Sequence, residues 1–150
     1  MIKGICTALV ISLASVAQAD RIFVSNERGN TVTVIDGTTW EVLAEFPAGL
    51  RPRGIIVSPD GKRLYVCASD DNLVRVFDTT TFEELHTLPS GPDPELFVLD
   101  PTGRRLYIAN EDDNLVTVVD TETHEVLAEL GHKDDPLLEV AMELERIALT

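Results

Sequence analysis

The chain has 150 residues, 44% of them hydrophobic, which is the size and apolar content of one globular domain. Its 12 Lys and Arg against 26 Asp and Glu give a formal charge of −14. That field repels phosphate backbones and anionic headgroups, so nucleic-acid and membrane-surface roles are disfavoured, and a cationic partner or plain solubility fits better.

Residues 1–19 read as a secretory signal. Lys3 precedes an uncharged apolar run from Ile5 to Val16, which ends at Ala17-Gln18-Ala19 before Asp20. The run is too short to span a bilayer comfortably as a permanent anchor. Cleavage there removes Lys3 and no acid, so the charge moves from −14 to −15. The expected location is periplasmic or secreted, with no membrane attachment after cleavage. Cys67 is then the single cysteine left, so no internal disulfide forms, and its place within a strand marks it as a small buried residue.

From residue 20 onward one block recurs every 42 residues. Asp36, Asp78 and Asp120 keep this spacing, as do Asn30, Asn72 and Asn114, and Leu43, Leu85 and Leu127. A fixed period of this length means one supersecondary unit built repeatedly, each copy covering its neighbour's apolar face. The second copy divides most clearly. Runs at 53–58, 62–68, 73–78 and 83–88 are rich in Val, Ile, Leu, Tyr and Phe and are separated by Pro59-Asp60-Gly61, Asp70-Asp71-Asn72 and Thr79-Thr80-Thr81. Runs of five to seven such residues between turn formers read as strands of an antiparallel meander.

Period two supports this. Leu73, Arg75 and Phe77 share one side, and Val74, Val76 and Asp78 the other. The fold class is therefore all-β, with four-stranded antiparallel blades stacked as in a β-propeller. The blades fall at about 22–46, 53–88 and 95–130, within a 20–130 domain, and the first lacks its innermost strand. Three blades do not make a ring, since propellers close with four to eight. Gly61 and Gly103 are expected at positive φ in tight turns, the Asn column at left-handed positions, and the Asp column on backbone amides.

In the tail, 131–150, the pattern decays. Glu143-Leu144-Glu145 stands where the next Pro-x-Gly turn belongs. Asp135-Pro136 followed by an apolar stripe of Leu137, Val140, Ala141, Leu144, Ile147 and Ala148 predicts a short helix over about 136–149. A strand at 137–142 in the innermost slot is the alternative. The loss of repeat reads as truncation of a longer propeller. The other accounts are a two-chain, six-bladed ring in which each tail completes the partner's first blade, and an open arc that self-associates through its blade edges.

The stretches SPDGKRLYVCASDDNLVRVFD and DPTGRRLYIANEDDNLVTVVD resemble the YVTN family of β-propeller repeat proteins, most closely its secreted members associated with catabolism dependent on pyrroloquinoline quinone (PQQ). The resemblance covers residues 21 to about 130. It implies a periplasmic propeller, usually seven-bladed and generally without established catalysis, and it transfers no active-site residue.

Candidate chemistry is sparse. His86, His124 and His132 fall in different repeat columns and match no zinc spacing, so they read as solvent-facing. Ser58 precedes Pro59 without the glycine framing of a nucleophile elbow. Asp70-Asp71 and Glu111-Asp112-Asp113 lack the ladder of a calcium loop. Trp40, Phe82 and His124 share a column explained by packing between blades. No catalytic, metal or cofactor residue is expected, and no cofactor. Arg51 and Arg53, entering an innermost strand, are the candidate contacts for an anionic ligand or partner, with ion pairs to their column mates Asp93 and Glu95 as the competing explanation.

The expectation is a noncatalytic, exported binding or scaffold module with a periplasmic protein partner, linked to PQQ-dependent alcohol catabolism. The alternative is a fragment of a lactonase-like or haem-binding reductase-like propeller. An enzyme would need His, Glu or Arg clustered at one channel end, and the sequence of the two full blades shows no such set.

Overall fold

The computed structural model describes residues 20–131. The signal reading at 1–19 and most of the 131–150 tail, including the expected helix at 136–149, lie outside them. Eleven strands follow one another: β1 (Arg21–Asn26), β2 (Thr31–Asp36), β3 (Val42–Pro47), β4 (Pro52–Val57), β5 (Arg63–Ala68), β6 (Leu73–Asp78), β7 (Glu84–Pro89), β8 (Pro94–Leu99), β9 (Arg105–Asn110), β10 (Leu115–Asp120) and β11 (Val126–Gly131). They form one three-stranded sheet, β1-β2-β3, and two four-stranded sheets, β4-β5-β6-β7 and β8-β9-β10-β11. All pairings are antiparallel between consecutive strands. Pro52 and Pro94 open the innermost strands of the two four-stranded sheets, where a missing N–H costs little.

The alternation within β5 explains why the blades stack. Leu64 and Val66 pack toward the first blade, with Val32, Ala48 and Phe77. Tyr65 and Cys67 pack toward the third, with Val74, Val76, Leu88, Phe97, Leu99, Leu106, Ile108 and Val119. One strand thus supplies both faces of its sheet to two cores. Each fully buried Val, Leu or Ile contributes about 1.5–3 kcal/mol. The valine side of β2 and β6 faces the following blade, as the shared column of Val32, Val74 and Val116 demands.

The turns repeat in atomic detail. The Asp36, Asp78 and Asp120 side chains each accept two backbone N–H bonds, from Thr38 and Thr39, Thr80 and Thr81, and Glu122 and Thr123. Asn30, Asn72 and Asn114 lie at φ of 58°, 57° and 55°, and Gly61 and Gly103 at 73° and 74°. The segment Ser69–Asp71 forms one 3-10 turn, closed by the left-handed Asn72. Trp40, Phe82 and His124 are also left-handed, at 65°, 62° and 63°. Their large side chains carry no sequence sign of this.

Candidate functional site: a charged loop cluster around Arg51

The loops entering the innermost strands and those joining the second strand of each blade to the third share one end of every sheet. Their backbones are fastened across blades. The Arg51 N–H donates to Asn30 Oδ1 at 2.9 Å, and the Asp93 N–H donates to Asn72 Oδ1 at 3.0 Å. Ser69 N donates to Arg51 O and Glu111 N to Asp93 O. These bonds hold Arg51 and Asp93 in the left-handed region, at φ of 51° and 49°, where branched or long side chains rarely sit.

The Arg51 side chain is thereby aimed at four carboxylates. Its Nε lies 3.3 Å from Glu27, Nη1 3.4 Å from Asp70 and 3.0 Å from Asp93, and Nη2 3.5 Å from Glu95. Arg53 also meets Glu95. The hydrogen bond to Glu27, supported by Asp93 and Asp70 against some loss of hydration, holds the Arg51 guanidinium above its ordinary pKa. Carboxylate oxygens of Asp93, Glu95 and Glu111 lie within 4.8 Å of one another, close enough to share a cation. Two of those three already face arginine.

Arg51 and Arg53 both form ion pairs across the blade junction. Their partners are Asp93 and Glu95, and the surroundings bring five acids to two arginines, a locally negative field. Glu27, Asp70, Glu95 and Glu111 gather around the arginines from separate loops, and of these four only Glu27 and Glu111 share a repeat column. Asp71 is absorbed by structure, accepting from the Leu50 N–H at 3.0 Å and pairing with Arg75 at 2.9 Å.

Other singled-out residues are placed clearly. Ser58 Oγ donates to Asp60 at 2.5 Å and accepts from the Arg63 N–H, which is turn chemistry. Cys67 is fully buried, and that burial pushes its thiol pKa up. His86 is half-buried rather than solvent-facing, because its ring stacks on that of His124 of the next blade, centroids 4.1 Å apart and 17° from parallel. Burial, with the nearby His124 and Arg63 adding, lowers the His86 pKa. Phe82 stacks on Phe46 at 5.5 Å and meets Phe23 edge-on at 6.4 Å, so its column does pack between blades. Trp40, in the same column, is exposed instead. Two grooves of about 550 and 440 Å³ lie at the opposite end of the blades, one at each junction, and follow from the repeat.

Against known proteins, residues 13–135 match the family described as "Lactonase, 7-bladed beta-propeller". Hydrazine synthase of Kuenenia stuttgartiensis is similar in structure, with a TM-score of 0.72 and 30% identity over 77% of this chain and 34% of that one. The dihydro-heme d1 dehydrogenase NirN, in complex with DHE, has a TM-score of 0.66 and 20% identity over 83% of this chain and 27% of its own, a likeness of fold. The chain thus spans about a third of the length of these structures. No curated protein matches it. Repeat period, blade topology and the match over residues 13–135 agree, and the chain belongs to the seven-bladed β-propeller lactonase family.

Proposed function

We propose that the chain is an exported, noncatalytic binding module whose Arg51 loop face engages a cationic protein partner. One observation carries this reading: Glu27, Asp70, Asp93, Glu95 and Glu111 outnumber Arg51 and Arg53 on one end of the blades, in a chain of net charge −14. Fixed backbone at Arg51 and Asp93 presents these charges rigidly, so little order need be lost on binding. Complementary charge would speed encounter and select the partner. The signal-like segment supports export to the periplasm, and the YVTN-type repeats support a partner in quinone-dependent alcohol oxidation.

The test compares two triple variants of equal charge. Glu27→Lys, Asp70→Lys and Glu111→Lys alter the loop face, whereas Asp60→Lys, Glu83→Lys and Glu122→Lys alter the opposite turns. Binding of poly-L-lysine of defined length should weaken about tenfold, or ~1.4 kcal/mol, further in the first variant than in the second. Equal loss in both would reduce the effect to net charge and end the reading.

The family match favours a second reading, in which the chain is part of a lactone-hydrolysing propeller. Lactone turnover by the purified chain, abolished by charge reversal at the loop face, would establish it.

A further inference from the structure

We propose that the outer face of the first blade, bearing Trp40, docks head to tail on the outer face of the third blade of a second copy of this chain. The chain stacks one blade on the next twice within itself, each time with a residue of the Trp40 column reaching back onto the preceding blade. Phe82 of the second blade lies on Phe23 and Phe46 of the first, beneath the guanidinium of Arg21, which is 5.7 Å from its ring centre. Arg21 Nη1 also donates to Thr79 O at 2.6 Å. His124 of the third blade, in the same column as Phe82, likewise reaches back onto the second, where it stacks on His86, two residues before the Phe46 equivalent Leu88. Trp40 stands one repeat before Phe82, in the same left-handed turn, with no blade in front of it among the described residues.

Exposure along single columns shows what is uncovered. Ile22 and Val24 are 37% and 39% exposed, whereas Leu64 and Val66, one repeat on, and Leu106 and Ile108, two repeats on, are buried at 1% or less. Trp40 itself is 72% exposed. At the other end Leu130 is 49% exposed, while its column mate Leu88, covered by the third blade, is 1% exposed. The residues equivalent to Arg21, Phe23 and Phe46 on the third blade are Arg105, Tyr107 and Leu130. Trp40 of one copy would therefore stack on Tyr107 and Leu130 of the next, with Arg105 over its ring. These two faces are the unsatisfied halves of one heterologous contact, and the surface it continues is already formed twice.

Trp40 is the chain's single tryptophan, so its emission reports this contact directly. Concentrating the purified chain should shift that emission to the blue while sedimentation shows dimers or longer arrays. Trp40→Asn, which suits the left-handed backbone, removes one half of the contact, and Leu130→Glu or Arg105→Glu the other. Each variant alone should sediment as a monomer, with at least a tenfold weaker dissociation constant and an unchanged circular dichroism spectrum. Trp40→Asn mixed with Leu130→Glu should give a dimer, because each retains the face the other lacks. A monomer with water-exposed emission at every concentration would overturn the proposal. So would a buried Trp40 independent of concentration, which would mean cover from the chain's own remaining residues, or a mixture that stays monomeric.

Discussion

Asp36, Asp78 and Asp120 bind the same two amides in three successive turns, and this gives the protein a defined acid limit. Backbone N–H groups of Thr39, Thr81 and Thr123 are the leading cause lowering their respective pKa values, and for Asp120, helped also by Arg104, the value falls from 3.8 to about 2. A carboxylate whose folded value is depressed stabilises the fold above its unfolded value, and that contribution is lost as protons bind. Denaturation midpoints should therefore fall between about pH 4 and pH 2, and Asp120→Asn should flatten that slope. An equally steep slope in the variant would assign the acid limit elsewhere. Glycines separate local strain from close packing in the same way. At Gly49, φ is +91° and a Cβ would lie 2.6 Å from Ala68 Cβ, so Gly49→Ala should cost about 2 kcal/mol or more. At Gly61, φ is +73° with nothing within 4 Å, and the cost should be about 1 kcal/mol, both readable by urea denaturation. The Asp, Asn and turn-Gly roles were legible because those residue types have few conformational uses. The left-handed Arg51 and Asp93 were not legible, since Asn30 and Asn72 of the preceding blades hold them, and neither were Phe82 and His124, whose N–H groups close their own turns on Asp78 and Asp120.

Strands carry the stability unevenly. β5 is hydrogen-bonded on both sides and buried over five of its six residues, whereas β1 pairs, among the described residues, with β2 alone and β11 is largely exposed. Amide exchange followed by mass spectrometry should be slowest in Arg63–Ala68 and clearly faster in Arg21–Asn26 and Val126–Gly131. Uniform protection would contradict the ordering. Between blades, Phe82 acts as a wedge and Phe82→Ala should cost about 2 kcal/mol, less than a fully buried phenylalanine because the ring is half-buried. The strand bounds were readable to about one residue, since apolar alternation and turn formers coincide there. The acidic cluster was not, because Glu27, Asp93 and Glu111 come from separate loops whose meeting depends on how sheets stack.

At the scale of the molecule, a translation of 42 residues reproduces turn and strand, and the architecture follows from repetition of one unit. Sequence spacing revealed that unit, but it did not reveal which columns touch: His86 and His124 occupy different columns and nevertheless stack, because a turn of one blade reaches the outer strand of the blade before it. The whole account depends on the blades stacking in this register. Nuclear Overhauser effects between side chains of the isotope-labelled protein test it most directly. Cross-peaks joining the Phe46 and Phe82 rings, and the His86 and His124 rings, are the predicted result. A folded β-sheet spectrum lacking both sets would contradict the stacking, and with it the loop face and the docking contact drawn from it.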